Sequence, residues 1–204
     1  MVRVKVCGLT RAVDALAAEA AGVDAVGVVF APSSRRLVGA AQAREVLGVL
    51  GPLVTRVGVF QGLGLRGVLR LVAAVGLDAA QVHDDWPPGD LLELAAVTRV
   101  IVARRVQPGV AGAGAWPAVG SLLLDGPRAG SGRAWDWSGV DVSALAGRPW
   151  LLAGGLTPLN VGAAVRALHP WGVDVSSGVE NSAGIKDEEK LRSFVRAARF
   201  GDPA

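Results

Sequence analysis

A single cysteine, Cys7, occurs in 204 residues, which excludes an intramolecular disulfide. Lysine is nearly as scarce: only Lys5, Lys186 and Lys190 accompany the arginines, and the basic residues are scattered rather than gathered into a stripe. A formal charge of +3 spread in this way leaves no electrostatic footprint for nucleic acid and fits a small anionic substrate. No charged leader followed by an apolar run opens the chain, because Lys5 interrupts the first apolar residues; the expected location is the cytoplasm. Also missing are a GxGxxG after the first strand, a linker, a long repeat and a low-complexity segment. The one charge-free stretch long enough to raise the question of a membrane, Val106 to Leu124, contains Pro108, Pro117 and four glycines. It reads as a short, poor helix followed by a buried strand, so no membrane partner is expected.

What is present is apolar and periodic. With 51% hydrophobic residues the chain can bury a sizeable core, and residues 1–204 are expected to form one domain. Eight short valine-rich runs recur: Arg3 to Val6, Ala25 to Phe30, Val54 to Phe60, Asp78 to Val82, Val100 to Ala103, Ser121 to Leu124, Trp150 to Ala153 and Val173 to Val175. Helix-like stretches separate them. Thr10 can cap a helix running to Ala21; Arg66 to Val75 ends at Gly76; Pro158 opens a helix ending near His169; Asp187 opens the last; and a weak fifth helix is expected near Gly109 to Trp116. Strands alternating with helices imply right-handed parallel βα units, and eight of them close an α/β (β/α)8 TIM barrel rather than an open doubly wound sheet.

In such a barrel the chemistry lies at the C-terminal ends of the strands. In the first strand Val2, Val4 and Val6 alternate with Arg3, Lys5 and Cys7, so Lys5 and Cys7 share a face. An ammonium beside Cys7 is expected to favour its thiolate, the reactive form. Asp125 ends the apolar run of the sixth strand, where a carboxylate is costly unless it faces the open mouth as an acid or base. Otherwise Asp125 serves as an N-cap or pairs with Arg128 or Arg133. Strands 1 and 6 are three steps apart round the ring, which sets Cys7 and Asp125 across the mouth from each other. Gly154 and Gly155 let backbone amides approach an oxyanion, while Ser176, Ser177 and Gly178 open a short helix whose amides favour phosphate. Arg36, in a loop beside Arg35, has the planar fork that grips a carboxylate. His83 is either a substrate contact or a structural histidine. Asp84, Asp85 and Trp86-Pro87-Pro88 read as a rigid turn.

Together KVCGLT, FAPSSRR, VGVF, QVHD, LLLDG, AGSGRAWDW, LAGGLTPLNV and DVSSGVE, from residue 5 to 186, resemble the successive signatures of the phosphoribosylanthranilate isomerase family. The resemblance implies an aldose–ketose isomerase that performs an Amadori rearrangement in tryptophan biosynthesis, without a metal or organic cofactor. It implies Cys7 as general base and Asp125 as general acid. Arg36 would contact the anthranilate carboxylate, and Gly154, Gly155, Ser176, Ser177 and Gly178 the phosphate, with His83 and Asp174 as further substrate contacts. The expected partner is one phosphorylated small molecule, and the expected state is a monomer or a homodimer. Two departures stand out: Asp84 replaces the family's glycine after His83, and Ser131 replaces a threonine in Ala129-Gly130-Ser131-Gly132. A related barrel acting also on a histidine-pathway aminoaldose carries an aspartate where Cys7 stands. A phosphate-binding barrel without turnover would not need both Cys7 and Asp125.

Overall fold

The alternation in the first strand sorts its residues to two environments. In the computed structural model, which describes residues 1–83, 85–105, 120–126, 145 and 149–201, Val4 and Val6 pack outward against the helices. Lys5 and Cys7 point into the barrel, where Cys7 joins a cluster with Val29, Ala31, Val57, Val59 and Ala79. Across the interior, Ala103, Leu123, Leu151 and Ala153 form a second inward cluster. Such inward layers fill a barrel with side chains and leave its polar groups at the rims.

The strands are β1 (Arg3–Cys7), β2 (Ala25–Phe30), β3 (Thr55–Phe60), β4 (Ala79–Val82), β5 (Arg99–Arg105), β6 (Ser121–Asp125), β7 (Trp150–Leu152) and β8 (Gly172–Val175). They close in sequence order, all parallel, with β8 against β1. The eight-stranded barrel is therefore as expected, with strand ends within two residues of the sequence reading. Register matters at one place above all: β1 and β8 set Lys5 directly beside Asp174. After β8 come a 3-10 turn (Ser177–Val179) and a small hairpin of β9 (Glu180–Ser182) and β10 (Ile185–Lys186), which Gly184 reverses at φ +81.

The helices are α1 (Ala12–Ala20), α2 (Ala40–Gly48), α3 (Leu65–Val75), α4 (Pro88–Ala95), α5 (Val161–Leu168) and α6 (Glu188–Phe200). Gly76 ends α3 in the left-handed conformation, and the Asp187 carboxylate caps α6 by accepting from Lys190 N at 2.9 Å, both as read from sequence. Two helix starts differ. Thr10 does not cap α1, because its hydroxyl donates to the Gly184 carbonyl at 2.7 Å and the capping position falls to Arg11. Pro158 does not open α5: Asn160 Oδ1 accepts from Thr157 N and its amide donates to Gly155 O, so the chain stays in turns until Val161. The turn read at residues 84–88 is shorter than expected, since Pro88 is already the first residue of α4. The fifth helix expected at 109–116, and with it most of the charge-free stretch, lies outside the described residues, as do Asp84, Arg128, Ser131 and Arg133. Among the described residues no helix is long and apolar enough to cross a membrane.

Candidate active site at the barrel mouth

Strand length delivers the titratable groups. β1 and β6 end on Cys7 and Asp125 themselves, at the C-terminal rim, and both line one cavity of about 190 Å³. Arg36, His83, Gly154, Gly155, Asp174, Ser176, Ser177 and Gly178 line the same cavity, so the structure brings all ten candidate residues together. A larger cavity of about 370 Å³ sits at the opposite, N-terminal rim between Arg3, Thr55, Arg99 and Trp171. It contains none of the ten, and in this architecture that rim serves stability.

Lys5 shares the face of Cys7 and favours the thiolate as expected, but burial of the thiol outweighs it. The buried ammonium donates to Asp174 Oδ1 at 2.9 Å, an ion pair made by the β1–β8 register. Burial disfavours the charged form of Lys5, yet Asp174, with Cys7 assisting, outweighs it and lifts the lysine above its usual range. At Cys7 burial dominates and pushes the thiol up; Lys5 pulls it down, Asp174 pushes it further up, and Lys186 and Arg36 only partly offset the sum. The resting group is a thiol.

Asp125 is raised to about 6, first by burial and then by the neighbouring Asp174 charge, against the Gly126 amide, Arg105 and Lys5. A carboxyl held near 6 is able to deliver a proton at neutral pH. The mouth thus holds a carboxyl and a thiol, both shifted upward chiefly by burial.

The glycine loops are built for backbone proximity. Gly154 and Gly155 have φ of +90 and +66, and a Cβ on Gly154 would lie 2.3 Å from Gly126 N. A Cβ on Gly178 would lie 1.9 Å from the Leu156 carbonyl oxygen, so the loops after β7 and β8 touch backbone to backbone. The amide of Asn160 bonded to Gly155 O fixes the first of them. Ser176 is held by its hydroxyl donating to Cys7 O at 3.0 Å.

Arg36 does grip a carboxylate, that of Glu180: Nε and Nη2 donate to its two oxygens at 2.7 and 2.6 Å. The Glu180 hydrogen bonds, against some burial, raise the guanidinium above its ordinary value. Two of five N–H donors are used, which leaves the Nη1 edge for another acceptor. His83 Nε2 lies 3.0 Å from Gln81 Nε2, and the Trp86 indole donates to its carbonyl at 3.0 Å. Sequence reasoning missed Gln81, Asn160, Glu180 and Lys186. Gln81 carries one visible signal: its Oε1 is buried on the cavity wall without a partner among the described residues.

A closed parallel barrel with its acid, thiol and glycine loops at the C-terminal mouth is the arrangement of (β/α)8-barrel enzymes. The family model described as N-(5'phosphoribosyl)anthranilate (PRA) isomerase matches residues 4–197, and the chain belongs to that family. An N-(5'-phosphoribosyl)anthranilate isomerase of Pseudomonas aeruginosa is 45% identical over 205 residues, covering 97% of this chain and 95% of the relative. The crystal structure of phosphoribosyl anthranilate isomerase from Thermus thermophilus matches with TM-score 0.87 and 41% identity, over 95% of this chain and 96% of that one. Another, in complex with reduced 1-(o-carboxyphenylamino)-1-deoxyribulose 5-phosphate, matches with TM-score 0.84 and 34% identity over 98% and 99%.

Proposed function

We propose that the chain converts N-(5-phosphoribosyl)anthranilate to 1-(2-carboxyphenylamino)-1-deoxy-D-ribulose 5-phosphate, the Amadori rearrangement of tryptophan biosynthesis, with Cys7 as base and Asp125 as acid. The observation that carries the reading is that these two groups face one small cavity whose wall also holds the glycine loops, Arg36, His83 and Asp174. Asp125 gives its proton to the furanose ring oxygen as the C1–O bond breaks, leaving a Schiff base. The Cys7 thiolate takes the C2 proton, the C2–H electron pair forms the C1–C2 double bond as the C1=N π pair returns to nitrogen, and the enolamine becomes the ketone by losing its C2 hydroxyl proton and gaining a proton at C1. Substrate and product are isomers with no net oxidation or reduction, so proton transfers alone suffice and the steps require no metal or organic cofactor. The partner is a single phosphorylated small molecule. The protein acts in the cytoplasm as a monomer or homodimer, with no nucleic-acid or membrane partner. Incubating purified protein with freshly made phosphoribosylanthranilate tests the reading directly, and absence of turnover by the folded protein ends it.

The substrate spans the mouth: phosphate on the loops at 154–155 and 176–178, anthranilate carboxylate on the Nη1 edge of Arg36, and hydroxyls near His83, Gln81 and Asp174. Two variants separate the ends. Arg36→Ala removes a charge-assisted bond of roughly 1.5–3 kcal/mol and is expected to raise KM about tenfold or more, while inorganic phosphate inhibits as in wild type. Gly178→Ala forces the new Cβ against the Leu156 carbonyl and spreads the two loops. Its phosphate inhibition constant is expected to rise at least about tenfold, a loss of roughly 1.4 kcal/mol. Phosphate inhibition measured side by side in the three proteins checks both, and an Arg36→Ala enzyme blind to phosphate would reverse the proposed orientation.

A further inference from the structure

The acid–base scheme uses neither Glu180 nor Lys186, yet both are charged and buried behind the cavity-lining residues Arg36, Cys7 and Ser176. The ammonium of Lys186 has three N–H donors, and three acceptors receive them: Cys7 O at 2.6 Å, Ser176 O at 3.1 Å and Glu180 Oε1 at 2.8 Å. Glu180 in turn accepts the Arg36 fork and the Gly184 amide at 3.2 Å. The β9–β10 hairpin makes this possible by folding Lys186 back beside Glu180, and Thr10 anchors its turn through Gly184 O. Gly8 clears the path of Arg36, since a Cβ there would lie 2.3 Å from the arginine Cδ.

Two buried charges and a half-buried guanidinium cost desolvation that a packed apolar trio would avoid, so stability is a poor account of them. Orientation is a better one. We propose that Glu180 and Lys186 are positioning residues: the carboxylate fixes the plane of Arg36, and the ammonium fixes the carbonyls of Cys7 and Ser176. One ion-paired unit then sets the carboxylate anchor, the base and the phosphate loop relative to each other. The roles of Arg36 and Cys7 in this statement rest on the isomerase reading.

Because Cys7 is the sole cysteine, the pH dependence of its alkylation by iodoacetamide, followed by protein mass, reads the thiol without any substrate. The charged and titratable groups around it are Lys5 on β1, Asp174 on β8, Lys186 on β10 and Arg36 after β2, with Asp125 and His83 across the cavity. Glu180→Gln leaves Arg36 and Lys186 without their counter-charge and is expected to lower the alkylation midpoint by about half a pH unit or more. Lys186→Met removes one of those cations and is expected to raise it by a similar amount. Simple loosening of the wall would expose the thiol and lower the midpoint in both, which overturns the proposal. Lys186→Gln is the second variant at that position, and failure of both Lys186 variants to fold assigns the pair a purely structural role and likewise overturns it. In turnover, Glu180→Gln is expected to raise KM about tenfold through Arg36 while phosphate inhibition stays within about twofold of wild type. Opposite midpoint shifts in a protein that does not turn over phosphoribosylanthranilate would remove the isomerase reading and keep the positioning unit.

Discussion

Cys7→Ala is expected to abolish all but a residual hundredth of turnover, and as little as a ten-thousandth remains if Cys7 supplies the full effect of a positioned base, roughly 10² to 10⁴ in rate. The fold should survive. The side chain is small, ends a strand, and packs among Val29, Val57, Val59 and Ala79, so losing Sγ opens a void smaller than a methylene deletion in a large core. Gly27 lies opposite, its missing Cβ position 3.3 Å from the sulfur, and already leaves room for the thiol rather than depending on it. A large fall in kcat with the circular dichroism and melting temperature of the wild type is the expected result. A folded Cys7→Ala protein that turns over near the wild-type rate would falsify the base assignment. Alkylation supplies the complementary measurement: because the thiol is held up by burial, its reaction with iodoacetamide should still be climbing about tenfold per pH unit at pH 8.

The direction of that shift shows what a sequence can and cannot say about this site. Period-two alternation was enough to put Lys5 and Cys7 on one face of β1, and strand-end logic was enough to put Asp125 and the glycine loops at the same rim. Burial in the closed barrel decides the shift, and the charge that opposes Lys5 comes from Asp174, 169 residues away, placed by how β8 registers against β1. Nothing local to KVCGLT reveals it. The same holds for Arg36 and Glu180, separated by 144 residues, and for Lys186 and Cys7, separated by 179. Their charges are legible in the sequence, while their pairing is a property of the closed barrel and the hairpin after it. Helix starts failed for a related reason. Thr10 and Pro158 carry the local chemistry of a start, but the Thr10 hydroxyl finds the Gly184 carbonyl and Asn160 ties Thr157 and Gly155 into a turn. Ends set by backbone conformation alone, such as Gly76 in the left-handed region, were legible because no distant partner competes for them.

Asp125→Asn is expected to lower kcat by about 10² or more with little change in KM, since the amide keeps the shape and polarity of the carboxyl but has no proton to transfer at useful acidity. Its pH profile gives a sharper result than its rate. In the wild type the productive form needs Asp125 protonated and Cys7 ionised together. With Asp125 at about 6 and Cys7 above its usual value, the fraction of protonated Asp125 falls tenfold per pH unit above 6 as the thiolate fraction rises tenfold. The product is constant, so kcat/KM of the wild type should be flat between about pH 7 and the onset of thiol ionisation. Below pH 7 the substrate's own phosphate also titrates, near 6, which makes that limb a poor diagnostic. In Asp125→Asn the falling factor is gone and only the thiolate fraction remains, so residual kcat/KM should rise about tenfold per unit over the range where the wild type is level. A profile of kcat/KM at half-unit steps from pH 7 to 9 distinguishes the cases. If the variant stays flat, or if its loss is all in KM, Asp125 binds the substrate and the proton for the ring oxygen comes from another group.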